Sequence, residues 1–280
     1  MLPESMCPAE HLPTDSQQQE GAPGMRENTA KAKLKAGEAV IGPIVGFTSP
    51  QLVEIAGRAG FDFVFIDCEH GAIGLDEVEN MVRAADLVGV STIVRVPENN
   101  AGQILRYLDL GAHGVQVPHM TTKDDARRVV DATKYAPKGS RGMGGGRAAD
   151  YGLGPFSGED YLAFANEQTW VSGMIEDLEG IKNLDQILTV EGLDIIAIGP
   201  NDLAASLGHP GQMQHPEVQK TIDEIIALAT AAGKAVGVGG NGDAESIRRN
   251  IKRGATYLTV GYTAIIGRAS RALLSRAREP

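Results

Sequence analysis

The feature that most constrains the fold is a regular alternation of short apolar runs with amphipathic segments, from about residue 39 to about residue 260. The apolar runs are rich in β-branched and aromatic residues, as strands are. The segments between them repeat apolar residues every three or four positions, as helices do. Glycine follows several helical segments directly, which is a common way for a helix to end. The predicted strands are 39–45, 61–66, 91–96, 114–117, 170–175, 194–198, 234–238 and 257–260.

Eight strands that alternate with helices, over roughly the 250 residues typical of the fold, predict a closed α/β barrel of the (β/α)8 or TIM type. The alternative is a doubly wound open sheet, which requires a glycine-rich phosphate-binding turn after the first strand. The sequence Ile-Val-Gly-Phe-Thr-Ser-Pro at 44–50 is not such a turn. Residues 1–29 are polar and aperiodic, and we expect a disordered N-terminal extension there, with a catalytic barrel domain over 30–280.

Polar side chains follow several of these strands. Asp67 and His70 come after the second, Arg95 ends the third, Glu176 follows the fifth and Asp202 follows the sixth. Because barrel enzymes build their active sites at the carboxyl ends of the strands, we expect these side chains to converge. A histidine beside a carboxylate suits proton transfer near neutral pH. Two facing carboxylates repel unless they share a proton or a cation, and oxygen ligands favour Mg²⁺ or Mn²⁺.

Each of these residues also has a purely structural interpretation. Glu176 and Asp202 could cap helices, and His70 could be a buried histidine that is hydrogen-bonded to Asp67. Arg95 needs an anionic partner, which is either a nearby acid such as Glu69 or a ligand carboxylate or enolate. The combination of these residues, more than any one of them, indicates a functional site.

A long glycine-rich connection joins the fourth and fifth strands, at about 139–152. Loops of this kind are either functional lids or flexible connectors. Its side chains Arg141, Arg147 and Tyr151 are candidates to close over an anionic substrate.

Composition excludes several partners. The net charge of −10 without a basic cluster argues against nucleic acid and anionic membranes. No apolar run approaches the roughly 20 residues needed to cross a bilayer.

Two cysteines cannot form a disulfide framework, which favours a reducing, cytoplasmic location. No lysine ends a predicted strand, which argues against a Schiff-base mechanism.

The motifs at the strand ends resemble those of the HpcH/HpaI family of class II, metal-dependent 2-oxo acid aldolases. The resemblance runs from about residue 32 to about residue 268. Its motifs are Ile-Asp-Cys-Glu-His at 66–70, Val-Arg at 94–95, Gly-Ser-Arg-Gly at 139–142, Ile-Glu at 175–176, Ile-Gly-Pro-Asn-Asp-Leu at 198–203 and His-Pro-Glu-Val at 215–218.

The resemblance implies roles for individual residues. Glu176 and Asp202 would ligate a divalent cation (Mg²⁺ or Mn²⁺, with Co²⁺ as a further candidate). Arg95 would stabilise the enolate oxygen, and an Asp67–His70 dyad would assist proton transfer. The substrate would also contact the residues Met174, Gly199, Pro200, Asn201 and Asp202. Many members of the family have Gln at the position of Met174, and Ala is commoner in the family than Asn at the position of Asn201.

The implied reaction makes or breaks the C3–C4 bond of a 4-hydroxy-2-oxo acid and gives pyruvate, or a similar 2-oxo acid, plus an aldehyde. The alternative is a related enolate enzyme, either an oxaloacetate decarboxylase or condensing enzyme, or an acyl-CoA lyase. The last would need a basic groove, and the sequence has no such cluster. The resemblance also implies a C-terminal helix that is swapped between subunits of a homo-oligomer, dimer-based and up to a hexamer.

Overall fold

The computed structural model describes residues 25–154 and 158–279, which form a closed barrel of eight parallel strands. Each strand pairs with the next, and β8 pairs with β1 over five residue pairs. The predicted (β/α)8 barrel is therefore confirmed. The strands are β1 (Val40–Val45), β2 (Phe63–Asp67), β3 (Ser91–Arg95), β4 (Gly114–Val117), β5 (Trp170–Ile175), β6 (Ile195–Ile198), β7 (Ala235–Asn241) and β8 (Tyr257–Gly261).

Helices connect the strands, with bounds close to those expected from the periodicity. They are α1 (Thr29–Lys35), α2 (Pro50–Arg58), α3 (Leu75–Val88), α4 (Ala101–Asp109), α5 (Lys123–Thr133), α6 (Gly158–Gln168), α7 (Leu178–Lys182), α8 (Leu184–Leu188), α9 (Pro200–Ser206), α10 (Pro216–Ala231), α11 (Ala244–Lys252) and α12 (Tyr262–Ala277). Local signals set their ends. For example, Thr122 and Asp125 form a capping box at the start of α5, and Gly89 ends α3 with a left-handed φ of 69°.

The predicted N-terminal extension lies mostly outside the described residues, since residues 1–24 are not among them. Its last residues contact the barrel. Met25 is buried against Tyr135 and Ala165. The Asn28 side chain caps α1 by accepting from the Lys31 N–H (2.9 Å) and donates to the Gln168 carbonyl (3.0 Å). Met25 and Asn28, the last residues of the predicted extension, therefore pack against the rest of the described chain.

Large aromatic rings fill the amino-terminal half of the barrel interior. Phe63 stacks on Tyr257 with ring centroids 4.8 Å apart, and Trp170 meets Phe63 edge-on at 5.6 Å. Gly114 makes room for this layer, because a Cβ on it would lie 1.9 Å from the Trp170 ring. With this end closed by packed side chains, a ligand can enter the barrel only from the carboxyl ends of the strands.

The last helix, α12, carries three exposed large apolar side chains, more than any other helix of the described chain. Leu273 is 69% exposed, and Ile266 and Leu274 are exposed beside it. Exposed apolar side chains on one helix are typical of an interface with another molecule. Across 25–154 and 158–279, no helix has both the length and the apolar character to span a membrane.

Candidate active site

The best-defined contact at the carboxyl ends of the strands is an ion pair between Asp67 and Arg95. The two residues are opposite each other in the register of β2 and β3. The Arg95 guanidinium donates from Nη2 to Asp67 Oδ2 (2.6 Å) and from Nε to Oδ1 (2.9 Å), a bidentate pair. Its Cζ lies 5.7 Å from the centre of the Phe65 ring below. Arg95 is therefore held in one orientation.

This pairing determines the charge of both groups. Burial tends to raise the pKa of Asp67, but the hydrogen bonds and charge of Arg95, together with backbone N–H groups of His70 and Glu69, outweigh it and lower the pKa below its usual value. For Arg95, burial tends to lower the pKa, but Asp67, Glu69 and Glu176 raise it. Asp67 is thus an anion and Arg95 a cation at neutral pH.

The predicted hydrogen bond between Asp67 and the His70 ring is wrong. The Asp67 carboxylate is used by Arg95 and by the backbone N–H groups of Glu69 (3.2 Å) and His70 (3.3 Å). The His70 side chain is 69% exposed, and its Nε2 lies 3.9 Å from Glu69 Oε2. Glu69 also pairs with Arg95 Nη1 at 3.0 Å. Glu69 is therefore the partner that the sequence suggested for Arg95, Asp67 is a second partner that it did not suggest, and the His70 side chain is largely exposed.

Glu176 lies directly after β5 and is almost fully buried. Its Oε1 accepts a hydrogen bond from the His119 backbone N–H at 2.8 Å, and His119 Nδ1 lies 3.3 Å from the same oxygen. Its Oε2 lies against Gly199, where a Cβ would come within 2.4 Å of it. Burial raises the pKa of Glu176, His119 counteracts this, and the charges of Asp202 and Glu69 raise it further. The carboxylate is thus short of positive charge.

The start of α9 forms another wall of the site. Gly199 is the N-cap of this helix and makes no side-chain cap, so the first N–H groups of α9 have no capping side chain. A cavity of about 230 Å³ opens here. Its lining includes seven residues that were predicted from sequence: His70, Arg95, Met174, Gly199, Pro200, Asn201 and Asp202. Met174 also contacts Arg95, with its sulfur 4.0 Å from Nη1.

The lid prediction is wrong for both arginines. Arg141 is buried, pairs with Asp109 at 2.7 Å and lies over the Tyr135 ring. Arg147 pairs with Asp86 and donates to the Leu110 carbonyl at 3.2 Å. These acids lie near the C-terminal ends of α4 and α3, at the end of the barrel opposite the site. Tyr151, the third candidate, is exposed on the short 3-10 helix that contains Arg147.

Other candidate groups lie apart from this site or are inert. His113 precedes β4 and is fully buried, and burial lowers its pKa to about 4. Burial raises the pKa of the Cys68 thiol to about 12, so it is no nucleophile at neutral pH.

A separate histidine cluster lies in the connection before α10. His209 Nε2 is 2.8 Å from Glu217 Oε2, and the His209 and His215 rings stack at 3.5 Å. Within the described part of the chain, these are the only three His, Cys, Asp or Glu side chains whose ligand atoms all lie within 4.8 Å of one another. His215 is the N-cap of α10, as its sequence context suggests.

Glu176 and Asp202 are the acids whose setting suits a divalent cation. Glu176 is buried with a raised pKa, Asp202 acts on it electrostatically, and both side chains offer the oxygen donors that Mg²⁺ and Mn²⁺ prefer. Next to them Arg95 supplies a fixed positive charge. A closed (β/α)8 barrel with these groups at its carboxyl end defines an enzyme of the TIM-barrel class.

Comparison with known proteins identifies the family. The profile of the HpcH/HpaI aldolase/citrate lyase family matches residues 44–266, and the chain belongs to that family. It is 40% identical over 253 residues to a 4-hydroxy-2-oxo-heptane-1,7-dioate aldolase of Shigella sonnei (strain Ss046), covering 89% of this chain and 95% of the relative. It is 37% identical over 251 residues to a 5-keto-4-deoxy-D-glucarate aldolase of Citrobacter koseri (strain ATCC BAA-895 / CDC 4225-83 / SGSC4696), covering 89% and 96%.

A solved structure of the same family has the same fold. A HpcH/HpaI aldolase/citrate lyase family protein from Burkholderia cenocepacia J2315 superposes with a TM-score of 0.84 at 32% identity, covering 90% of this chain and all of the other. The expected family and reaction class are therefore confirmed, and the protein is an aldolase, a carbon–carbon lyase.

His119 is a residue of this site that was not among those predicted from the sequence. It flanks a short strand, and nothing in its neighbours along the chain indicates that it contacts Glu176. The one local signal is its position two residues after the end of β4, close to a strand end like the residues that were singled out.

Proposed function

We propose that this aldolase acts on 4-hydroxy-2-oxo acids at the carboxyl end of the barrel and releases pyruvate, or a similar 2-oxo acid, and an aldehyde. The observation that carries the proposal is the position of Arg95. Two acids fix this cation at the wall of a cavity whose other wall is the uncapped start of α9. An aldol cleavage creates negative charge at the former ketone, and this cavity has preorganised positive groups to meet it.

The start of α9 is the proposed site for the substrate carboxylate. The N–H groups of Asn201 and Asp202 lie in its first turn, where the helix dipole and free donors favour an anion. Pro200, at the first helical position, has no N–H to lose. Gly199 keeps the helix start close to Glu176, because any side chain there would collide with that carboxylate.

Glu176 and Asp202 are the proposed ligands of a divalent cation, and Mg²⁺, Mn²⁺ and Co²⁺ are the candidates. When bound, the cation would supply Lewis-acid stabilisation of the charge that develops on the 2-oxo oxygen.

The protein groups account for the remaining chemistry of cleavage. The 4-hydroxyl loses its proton, the C3–C4 bond breaks, and its electron pair forms the C2–C3 double bond of the enolate. Arg95 faces the negative charge on the 2-oxygen. His70, exposed at the rim of the cavity, is the protein group placed to carry the proton between substrate and water. The enolate then takes a proton at C3 to give the free 2-oxo acid, while Asp67 keeps Arg95 in position.

The test is aldol cleavage measured with purified protein and a panel of 4-hydroxy-2-oxo acids, with and without chelator. Chelation and the variants Glu176→Gln and Asp202→Asn should each abolish turnover, and Arg95→Lys should lower kcat by about 10²–10³-fold. His209→Asn is the matched control, because it removes an imidazole outside the site. Full activity of Glu176→Gln in the presence of chelator would refute the proposal.

The related enolate reactions are separated by one further substrate. Oxaloacetate supplied without an aldehyde reports decarboxylation, and oxaloacetate supplied with an aldehyde reports condensation. If either reaction is faster than cleavage of every 4-hydroxy-2-oxo acid tested, the alternative reaction is the native one.

The exposed apolar face of α12 supports a homo-oligomer, and we propose that a second copy of the chain covers it. Ile266, Leu273 and Leu274 project from this helix and are exposed. The double variant Leu273→Glu/Leu274→Glu should shift the mass measured by light scattering to that of a smaller species. An unchanged mass would exclude α12 from the interface.

A further inference from the structure

His119 has an unusual backbone conformation beside Glu176. It follows β4 and has a φ of 51°, in the left-handed region that residues other than glycine rarely adopt. In this conformation its N–H donates to Glu176 Oε1 at 2.8 Å, and its ring nitrogen Nδ1 comes to 3.3 Å from the same oxygen. Residues held in such conformations cluster at functional sites.

The second ring nitrogen of His119 faces another acid. Its Nε2 lies 3.9 Å from Glu69 Oε1, and Glu69 in turn pairs with Arg95 at 3.0 Å. The imidazole thus stands between two carboxylates, one at each nitrogen. Histidines that bind metals have a related arrangement, in which one nitrogen meets the ion and the other donates to a carboxylate that orients the ring. At 3.9 Å the contact of Nε2 with Glu69 is an ion-pair contact, and a small turn of the ring would bring it to hydrogen-bond distance.

We propose that His119 binds the same divalent ion as Glu176 through Nδ1, with Glu69 as the carboxylate partner of Nε2. This inference rests on the proposed function, because it needs an ion at Glu176. Neighbouring ligands of an octahedral ion with bonds of about 2.1 Å lie about 3 Å apart. The 3.3 Å between His119 Nδ1 and Glu176 Oε1 is close to that spacing.

The remaining ligand, Asp202, lies farther away. The ligand atoms of His119, Glu176 and Asp202 do not all lie within 4.8 Å of one another in the described chain, so ion binding must draw these groups together. The His119 side chain is 64% exposed, and Asp202 is exposed on the first turn of α9. Neither is locked by packing, whereas Glu176 is buried and fixed. The ion would therefore bind at Glu176 and the two exposed side chains would turn towards it.

A nitrogen ligand changes which ion the site prefers. Imidazole suits transition metals such as Co²⁺ and Ni²⁺, while Mg²⁺ prefers oxygen ligands and keeps its waters. His119 should therefore favour Co²⁺ over Mg²⁺ beyond the preference that two carboxylates would give.

Metal binding to the chelator-treated protein tests this without any turnover. The variant is His119→Asn, because asparagine tolerates a left-handed φ and removes the imidazole. By calorimetry it should bind Co²⁺ at least about tenfold more weakly, with Mg²⁺ affinity changed by less than about threefold. Pulsed EPR of bound Mn²⁺ should show nitrogen coupling in the wild type and lose it in His119→Asn. His209→Asn, which disrupts the separate cluster with Glu217, should keep the tight site and its nitrogen coupling.

Wild-type Co²⁺ affinity and nitrogen coupling in folded His119→Asn would overturn the inference. If circular dichroism shows that this variant is unfolded, His119→Gly replaces it. Glycine accepts the φ of 51°, and added free imidazole should restore the nitrogen coupling; no restoration would count against the inference. A different result would count against the proposed function itself. If Glu176→Gln binds Co²⁺ and Mg²⁺ as tightly as the wild type, Glu176 is not a ligand of the ion.

Discussion

The pair of Asp67 and Arg95 offers a test that separates the fold from the chemistry. Their side chains are 7% and 13% exposed, so the variant Arg95→Met leaves the Asp67 charge buried without its counter-ion. Only the backbone N–H groups of Glu69 and His70, at 3.2 and 3.3 Å, would remain bound to it. Removing one partner of a buried ion pair costs about 3–5 kcal/mol, and we expect the free energy of unfolding to fall by that amount.

Compared with Arg95→Met, the double variant Asp67→Asn/Arg95→Met should be more stable but no more active. With both charges gone, Asp67 no longer leaves a buried charge unpaired, and only Glu69, whose side chain is 14% exposed, still lacks the contact with Arg95. Stability should therefore return to within about 1–2 kcal/mol of the wild type. Aldol cleavage should stay impaired by at least about 10²-fold in kcat, because the donor that meets the enolate charge is missing.

Urea denaturation with comparison of slopes measures the first effect, and steady-state cleavage measures the second. A loss of less than about 1 kcal/mol in Arg95→Met would contradict the account of the pair as buried and mutually dependent. Recovery of activity together with stability in the double variant would show that Arg95 serves only the fold.

Three further predictions concern the pKa of Glu176, the pKa of Asp67 and the packing of Gly114 against Trp170. Because the pKa of Glu176 is raised, the contribution of this carboxyl to stability is present at low pH and is lost as pH rises through its pKa in the folded state. The chelator-treated Glu176→Gln protein should therefore have a higher Tm than the wild type at mildly alkaline pH. Added Mn²⁺ should not raise the Tm of this variant. Because the pKa of Asp67 is lowered, its contribution is lost as pH falls below about 4, so Asp67→Asn should show a shallower loss of stability there in acid titrations. Gly114→Ala should lower the free energy of unfolding by at least about 1–3 kcal/mol in urea, since its Cβ would lie 1.9 Å from Trp170; an unchanged midpoint would mean that the ring moves freely.

The barrel could be predicted from sequence because each strand and helix carries its own periodic signal. The run that ends at Asp67 and the run that ends at Glu176 are mostly apolar, and a carboxylate marks the point where each strand reaches the mouth of the barrel. In a parallel barrel those points share one end, so convergence followed from topology without any knowledge of distances.

Partner choice could not be predicted in the same way. Asp67 and His70 are close along the chain, but the register of β2 and β3 puts Asp67 opposite Arg95, and an arginine with two aligned donors outcompetes a single imidazole. Register is a property of two strands that are distant in sequence, and neither strand encodes it alone.

The connection between β4 and β5 shows a related limit. Its glycine-rich composition fits either a lid or a flexible connector, but Arg141 and Arg147 pair with Asp109 and Asp86, acids on helices that come earlier in the chain. The contact of His119 with Glu176 was not foreseen, because it depends on the left-handed φ of 51° that His119 adopts in the fold. Glycine-rich sequence indicates a loop, and only the fold decides to which end of the barrel that loop runs.

We propose that Glu176 and Asp202 together hold the ion at which this aldolase binds its 2-oxo acid. Crystals soaked with Mn²⁺ and pyruvate, measured at a wavelength where manganese scatters anomalously, would locate that ion directly. We expect an anomalous peak between these two carboxylates, with Arg95 facing the pyruvate oxygen. A peak found only at His209, His215 and Glu217, with none beside Glu176, would contradict it.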